Sequence, residues 1–169
     1  SGCTPISVST NLKKLWTKDV NSQLTSLVSV GDIVVTVTPE THTVHAFDTN
    51  SGQKVWQYTC GGRVDSPPTV DGGRVYFGSH DGYVYCLRAD DGGLVWRFRA
   101  AANERRLVSY GQVESVWPIH GSVLVMDDAV YCVAGRSAFL DGGLRFYKLD
   151  ARTGALLAFK RMDDKVPDT

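Results

Sequence analysis

Along most of the chain apolar and polar residues alternate with a period of two, in runs too short for a helix of three turns. Arg74-Val75-Tyr76-Phe77 and Tyr83-Val84-Tyr85-Cys86-Leu87 are the clearest runs, rich in β-branched and aromatic side chains that suit a pleated surface. Asp71-Gly72-Gly73 and His80-Asp81-Gly82 bound them and supply the positive-φ residues that tight hairpins need. Val30-Gly31-Asp32-Ile33 and Met126-Asp127-Asp128-Ala129 fill the first of those turns in other parts of the chain. The pattern predicts antiparallel units of four strands, A to D, each strand joined to the next by a hairpin.

These units repeat. Trp16, Trp56 and Trp96 stand forty residues apart, and residues 44–56 align without gaps on 84–96. A third copy, 146–159, keeps Asp150 and Gly154 but has Ala158 in place of Trp. Four-stranded units of about forty residues are the blades of a β-propeller, so the predicted class is all-β. Three blades are expected at 24–58, 63–98 and 114–159, with 15–18 as the outer strand of a preceding one. Each Trp is expected to fill the wedge between blades and to reach a backbone carbonyl with its N–H. Gly52, Gly92 and Gly154 belong in the C–D turn, where a Cβ would oppose the backbone conformation, and Asp48 and Asp150 begin that turn. Three blades do not close a ring, since propellers have roughly four to eight. The expectation is therefore an incomplete propeller, finished by remaining blades of a longer chain or by a second copy. Residues 1–14, starting Ser1-Gly2, read as a tail or tag remnant, and 162–169 as a truncated tail.

Composition adds mostly exclusions. With 43% apolar residues the 169-residue chain can bury a core, and 18 basic residues against 18 acidic ones give no basic field for nucleic acid. No apolar stretch is long enough for a membrane span. Cys86 and Cys132 read as small buried residues, whereas Cys3 and Cys60 lie in a tail and a loop where they could pair. His42, His45, His80 and His120 are scattered, without His-x-x-x-His or Cys-x-x-Cys spacing, and predict no metal site. His120, Ser122 and Asp127 lie too close together on extended chain to converge as a triad.

The phrase Ala46-Phe47-Asp48-Thr49-Asn50-Ser51-Gly52-Gln53-Lys54-Val55-Trp56 resembles the tryptophan-docking repeat, Ala-x-Asp-x-x-Thr-Gly-x-x-x-Trp, of the pyrroloquinoline-quinone (PQQ)-like propellers, and Asp150-Ala151-Arg152-Thr153-Gly154 matches its turn best. The resemblance runs from Trp16 to Phe159 and implies an extracytoplasmic, periplasmic setting. That family includes quinoprotein alcohol dehydrogenases, a non-catalytic outer-membrane assembly lipoprotein and many secreted bacterial proteins. The dehydrogenases carry adjacent cysteines beside the quinone and Glu, Asn and Asp around Ca²⁺. All four cysteines here are solitary, and no loop gathers the six to eight oxygens that Ca²⁺ takes. The expectation is a non-catalytic protein- or ligand-binding scaffold without catalytic, cofactor or metal residues in this segment. A fragment of a PQQ- and Ca²⁺-dependent dehydrogenase, or a carbohydrate- or peptide-binding propeller of a larger enzyme, are the alternatives.

The repeat breaks in one place. Gly92 and Gly154 are 62 residues apart against 40 for Gly52 and Gly92, and the additional residues fall at 100–112, continuing towards Val116, and at 136–142. The first stretch is a D–A connection and the second a B–C connection. In an antiparallel blade both emerge at the same end, as does the lengthened B–C loop at 38–42. Long loops on one face of a rigid scaffold are where binding surfaces lie. Arg105, Arg106, Glu114, Trp117, His120, Arg136 and Asp141 make up the candidate ligand or partner surface. The competing expectation is that Arg105, Arg106 and Arg136 pair with Glu104, Glu114 and Asp141 and merely pin the loops.

Overall fold

A computed structural model describes residues 11–164. Three four-stranded antiparallel sheets follow one another, each a meander in chain order. The first holds β1 (Val28–Val30), β2 (Ile33–Thr38), β3 (Thr43–Asp48) and β4 (Lys54–Thr59). The second holds β5 (Thr69–Asp71), β6 (Arg74–Gly78), β7 (Tyr83–Arg88) and β8 (Leu94–Arg99). A separate hairpin, β9 (Arg106–Ser109) with β10 (Gln112–Ser115), precedes the third, made of β11 (Leu124–Met126), β12 (Ala129–Ala134), β13 (Leu144–Asp150) and β14 (Leu156–Met162). Among the described residues the only helical element is a 3₁₀ turn, Pro39–Thr41. Blades of a partial propeller are what the period-two pattern predicts.

The core lies between sheets, because alternate residues of the middle blade face opposite neighbours. Val75 and Phe77 of β6, with Tyr85 and Leu87 of β7, pack with Val35, Val37 and Val44 of the first blade. Tyr76, Val84 and Cys86 pack instead with Val130, Cys132 and Tyr147 of the third. At the outer edge each indole docks on the next blade. Trp16 Nε1 donates to Thr49 O (2.8 Å), Trp56 Nε1 to Ala89 O (2.8 Å) and Trp96 Nε1 to Ala151 O (3.0 Å). The turn glycines have two reasons to be glycine. Their φ angles are +68° at Gly52, +71° at Gly92 and +73° at Gly154, and a Cβ would lie 2.6–2.7 Å from the docked indole. With Ala158 in the third copy, β14 is exposed along its whole length.

Two boundaries differ from expectation. Residues 15–18 lie outside any strand although Trp16 still docks, because a D strand needs a C strand to pair with and none of the described residues supplies it. The third blade begins at Leu124 and not at Glu114, because residues 106–115 pair with one another as the β9–β10 hairpin. The proposed pairing of Cys3 with Cys60 falls outside the described residues.

The C–D turns are held by carboxylates. Asp48 Oδ1 accepts from the Asn50 and Ser51 amides and the Ser51 hydroxyl, and Asp150 Oδ1 from the amide and hydroxyl of Thr153. In the second blade Arg88 stands at that position and clasps Asp91 instead. The Ser51 and Thr153 hydrogen bonds hold Asp48 and Asp150 below the usual carboxylate range. A folded-state value below the unfolded one gives stabilisation present above about pH 4 and lost as pH falls through the folded value. Urea denaturation of Asp48→Asn/Asp150→Asn at neutral and acid pH is expected to show a smaller acid loss than the parent. Equal losses would show that these turns do not contribute to acid sensitivity.

Candidate functional site

Connections from all three blades meet at one end, through a continuous chain of polar contacts. His42 Nε2 donates to Gln112 Oε1 (2.8 Å), and Gln112 Nε2 donates to Glu40 Oε2 (2.9 Å), tying the β9–β10 hairpin to the 3₁₀ turn of the first blade. Glu40 pairs with Arg63 (3.0 Å), whose Nε donates to Asp65 Oδ1 (3.0 Å). Asp65 Oδ2 lies 3.1 Å from His80 Nε2, and His80 Nδ1 is 2.6 Å from Glu114 Oε2. Glu114 Oε1 then accepts from Arg136, in the B–C loop of the third blade. Arg105 pairs with Asp141 and stacks over Trp117, whose indole N–H donates to Asp141 O (3.0 Å).

Five of the seven expected residues, Arg105, Glu114, Trp117, Arg136 and Asp141, are thus engaged in these contacts. Glu104 differs: it pairs with Arg99 and not with Arg105 or Arg106. Arg106 is exposed at the start of β9, with no side-chain hydrogen bond or ion pair among the described residues. Ser122 donates to Pro67 O while Asp127 sits in the β11–β12 turn at the other end of the blade, so the triad does not assemble.

Around this chain is a cavity of about 390 Å³ lined by Arg63, Asp65, His80, Tyr110, Glu114, His120 and Arg136. His80 is 5% and Glu114 4% exposed. Burial raises the Glu114 carboxyl, but hydrogen bonds from Arg136 and His80 outweigh it and hold the group below its ordinary value. Burial, then the neighbouring His80 and Arg136, lower His120, which favours its neutral form. The His80 and His120 rings meet edge to face, 4.6 Å between centroids. The sequence pattern alone does not mark His80, Asp65 and Arg63 as cavity residues, because they belong to the regular second blade and the connection leading into it. The topological signal was nevertheless there: His80 sits in a B–C turn and Asp65 in a D–A connection, on the same end as the insertions. The three described thiols are unreactive in character, since burial pushes Cys60 and Cys86 up to about 11 and Cys132 to about 12.

A family model described as "Outer membrane protein assembly factor BamB" matches residues 8–158. Among solved structures, BamB from Moraxella catarrhalis superposes with a TM-score of 0.62 at 20% identity, covering 87% of this chain and 39% of that one. The quinohemoprotein alcohol dehydrogenase ADHIIG from Pseudomonas putida HK5 gives 0.65 at 23% identity, covering 80% of this chain and 20% of that one. The computationally designed Ika4 protein gives 0.63 at 20% identity, covering 88% of this chain and 79% of that one. The chain therefore spans less than half the length of the two natural proteins. No curated protein matches in sequence.

Proposed function

We propose, for a chain that belongs to the PQQ-repeat propeller family described as outer membrane protein assembly factor BamB, a role as a non-catalytic binding scaffold within a larger extracytoplasmic protein. Its long-loop face engages a protein partner. The observation that carries this is a combination of rigidity and unspent apolar surface. Loops from three blades are locked together by Arg105–Asp141, Arg136–Glu114 and the His42–Gln112–Glu40 relay, yet Tyr110 at the tip of the β9–β10 hairpin is 93% exposed and Phe139 beside Asp141 75% exposed. Apolar side chains held out on pinned loops fit a partner surface better than they fit water. Arg106 adds an exposed guanidinium at the base of the same hairpin, suited to a partner carboxylate. The extracytoplasmic setting rests on family resemblance. The exposed β14 would be covered by further blades or by a second copy.

The test is photo-crosslinking in the host, with the reactive group placed at Tyr110 or Phe139 and, as control, at Asp32 or Asp127 in the turns of the opposite end. Discrete adducts from the first pair alone are expected. Equal labelling at both ends, or PQQ- and Ca²⁺-dependent dye reduction by the purified protein, would overturn the proposal. Arg106→Ala should leave stability within about 0.5 kcal/mol of the parent while weakening those adducts.

A further inference from the structure

We propose that Asp65, His80 and His120 bind a divalent transition-metal ion of the zinc class. These residues come from two D–A connections and a B–C turn, and one donor atom from each lies within 4.8 Å of the others. The second, independent observation is His80 Nε2. This nitrogen is buried and has no hydrogen-bond partner, although Asp65 Oδ2 is only 3.1 Å away. A buried ring nitrogen without a partner is uncommon and calls for an explanation such as an ion. The Nδ1–H of His80 faces Glu114 Oε2 at 2.6 Å, which leaves the lone pair of the neutral ring on Nε2. A carboxylate that orients an imidazole in this way is the usual support of a zinc-ligating histidine.

The spacing also fits. Neighbouring ligands on a tetrahedral ion with bonds of about 2.0–2.2 Å stand about 3.3–3.6 Å apart, slightly more than the 3.1 Å between Asp65 and His80. His120 completes the set, its donor atom within 4.8 Å of the other two. The adjacent guanidiniums do not occupy these donor atoms: Arg63 is on Asp65 Oδ1 and Glu40, and Arg136 is on Glu114. Two imidazoles and one carboxylate suit zinc better than Ca²⁺ or Mg²⁺, and three protein ligands leave a coordination position open to the cavity. Nothing in this inference depends on the partner proposed above.

Calorimetric titration of the metal-stripped chain with zinc chloride at neutral pH tests it. One equivalent bound, with a raised unfolding temperature, is expected. Asp65→Asn and His120→Ala alter exposed side chains and should keep the parent circular dichroism while weakening binding at least tenfold. Glu114→Gln should weaken it about 10–100-fold through the orientation of His80, and His45→Gln, on a different strand, should not change it. The absence of saturable binding, or unchanged binding in both Asp65→Asn and His120→Ala, would overturn the assignment.

Discussion

Trp56→Ala will lower the free energy of unfolding by about 3–5 kcal/mol, the cost of emptying a large aromatic site that the surroundings cannot refill. The indole is 7% exposed, lies against Gly92 of the next blade and donates to Ala89 O, so its removal opens a cavity and strips a carbonyl of its donor. In a chain of this size each kcal/mol moves the melting temperature by roughly 2–4 °C. The companion variant Gly92→Ala perturbs the same joint from the other side. Its Cβ would stand 2.7 Å from the Trp56 ring, and its φ of +71° costs a residue with a side chain about 1–2 kcal/mol in addition. With the indole gone the collision disappears and only the backbone cost remains. Trp56→Ala/Gly92→Ala is therefore expected to be less destabilised than the sum of the single variants. Urea denaturation of all four proteins measures this directly. Strict additivity would mean that ring and glycine do not form one joint.

The blade architecture was legible because it is written twice in residues whose roles are local and steric. A tryptophan every forty residues and a glycine ahead of it report a contact that recurs identically in each copy. The one-ended placement of the insertions was legible for a similar reason, since meander topology fixes where each loop emerges. What could not be read was pairing across blades. Asp65 and His80 sit in the most regular copy, and only their place on the insertion end marks them. Glu114 reaches His80 across 34 residues and Arg136 across 22 only because the β9–β10 hairpin folds back over the second blade. That hairpin also displaced the expected start of the third blade. A ten-residue insertion that pairs with itself carries the same alternation as a blade strand, so periodicity alone does not distinguish them. The four histidines illustrate the limit. Spacing along the chain excluded a local metal motif, yet the fold assembles His80 and His120 from different connections.

Glu114→Ala is expected to cost about 3–5 kcal/mol, the usual penalty for removing one partner of a buried ion pair. The carboxylate is 4% exposed and serves Arg136 with one oxygen and His80 with the other, so its loss leaves a half-buried guanidinium and a buried imidazole without their acceptor. Arg136→Ala should be comparably damaging, because it leaves the Glu114 charge buried without its guanidinium partner. Replacing both Glu114 and Arg136 with leucine should recover much of either loss, since the desolvation cost of both charges goes with them. The effect also has a pH signature. Glu114 titrates in the folded protein below its unfolded value of about 4.3. Its contribution is therefore complete above that value and is lost as pH falls through the folded one. The gap between parent and Glu114→Ala, read from urea midpoints, should be widest near neutral pH and should narrow on acidification. A gap below 1 kcal/mol, or one that does not change with pH, would show that the three loops are pinned by packing around Trp117 and not by this carboxylate.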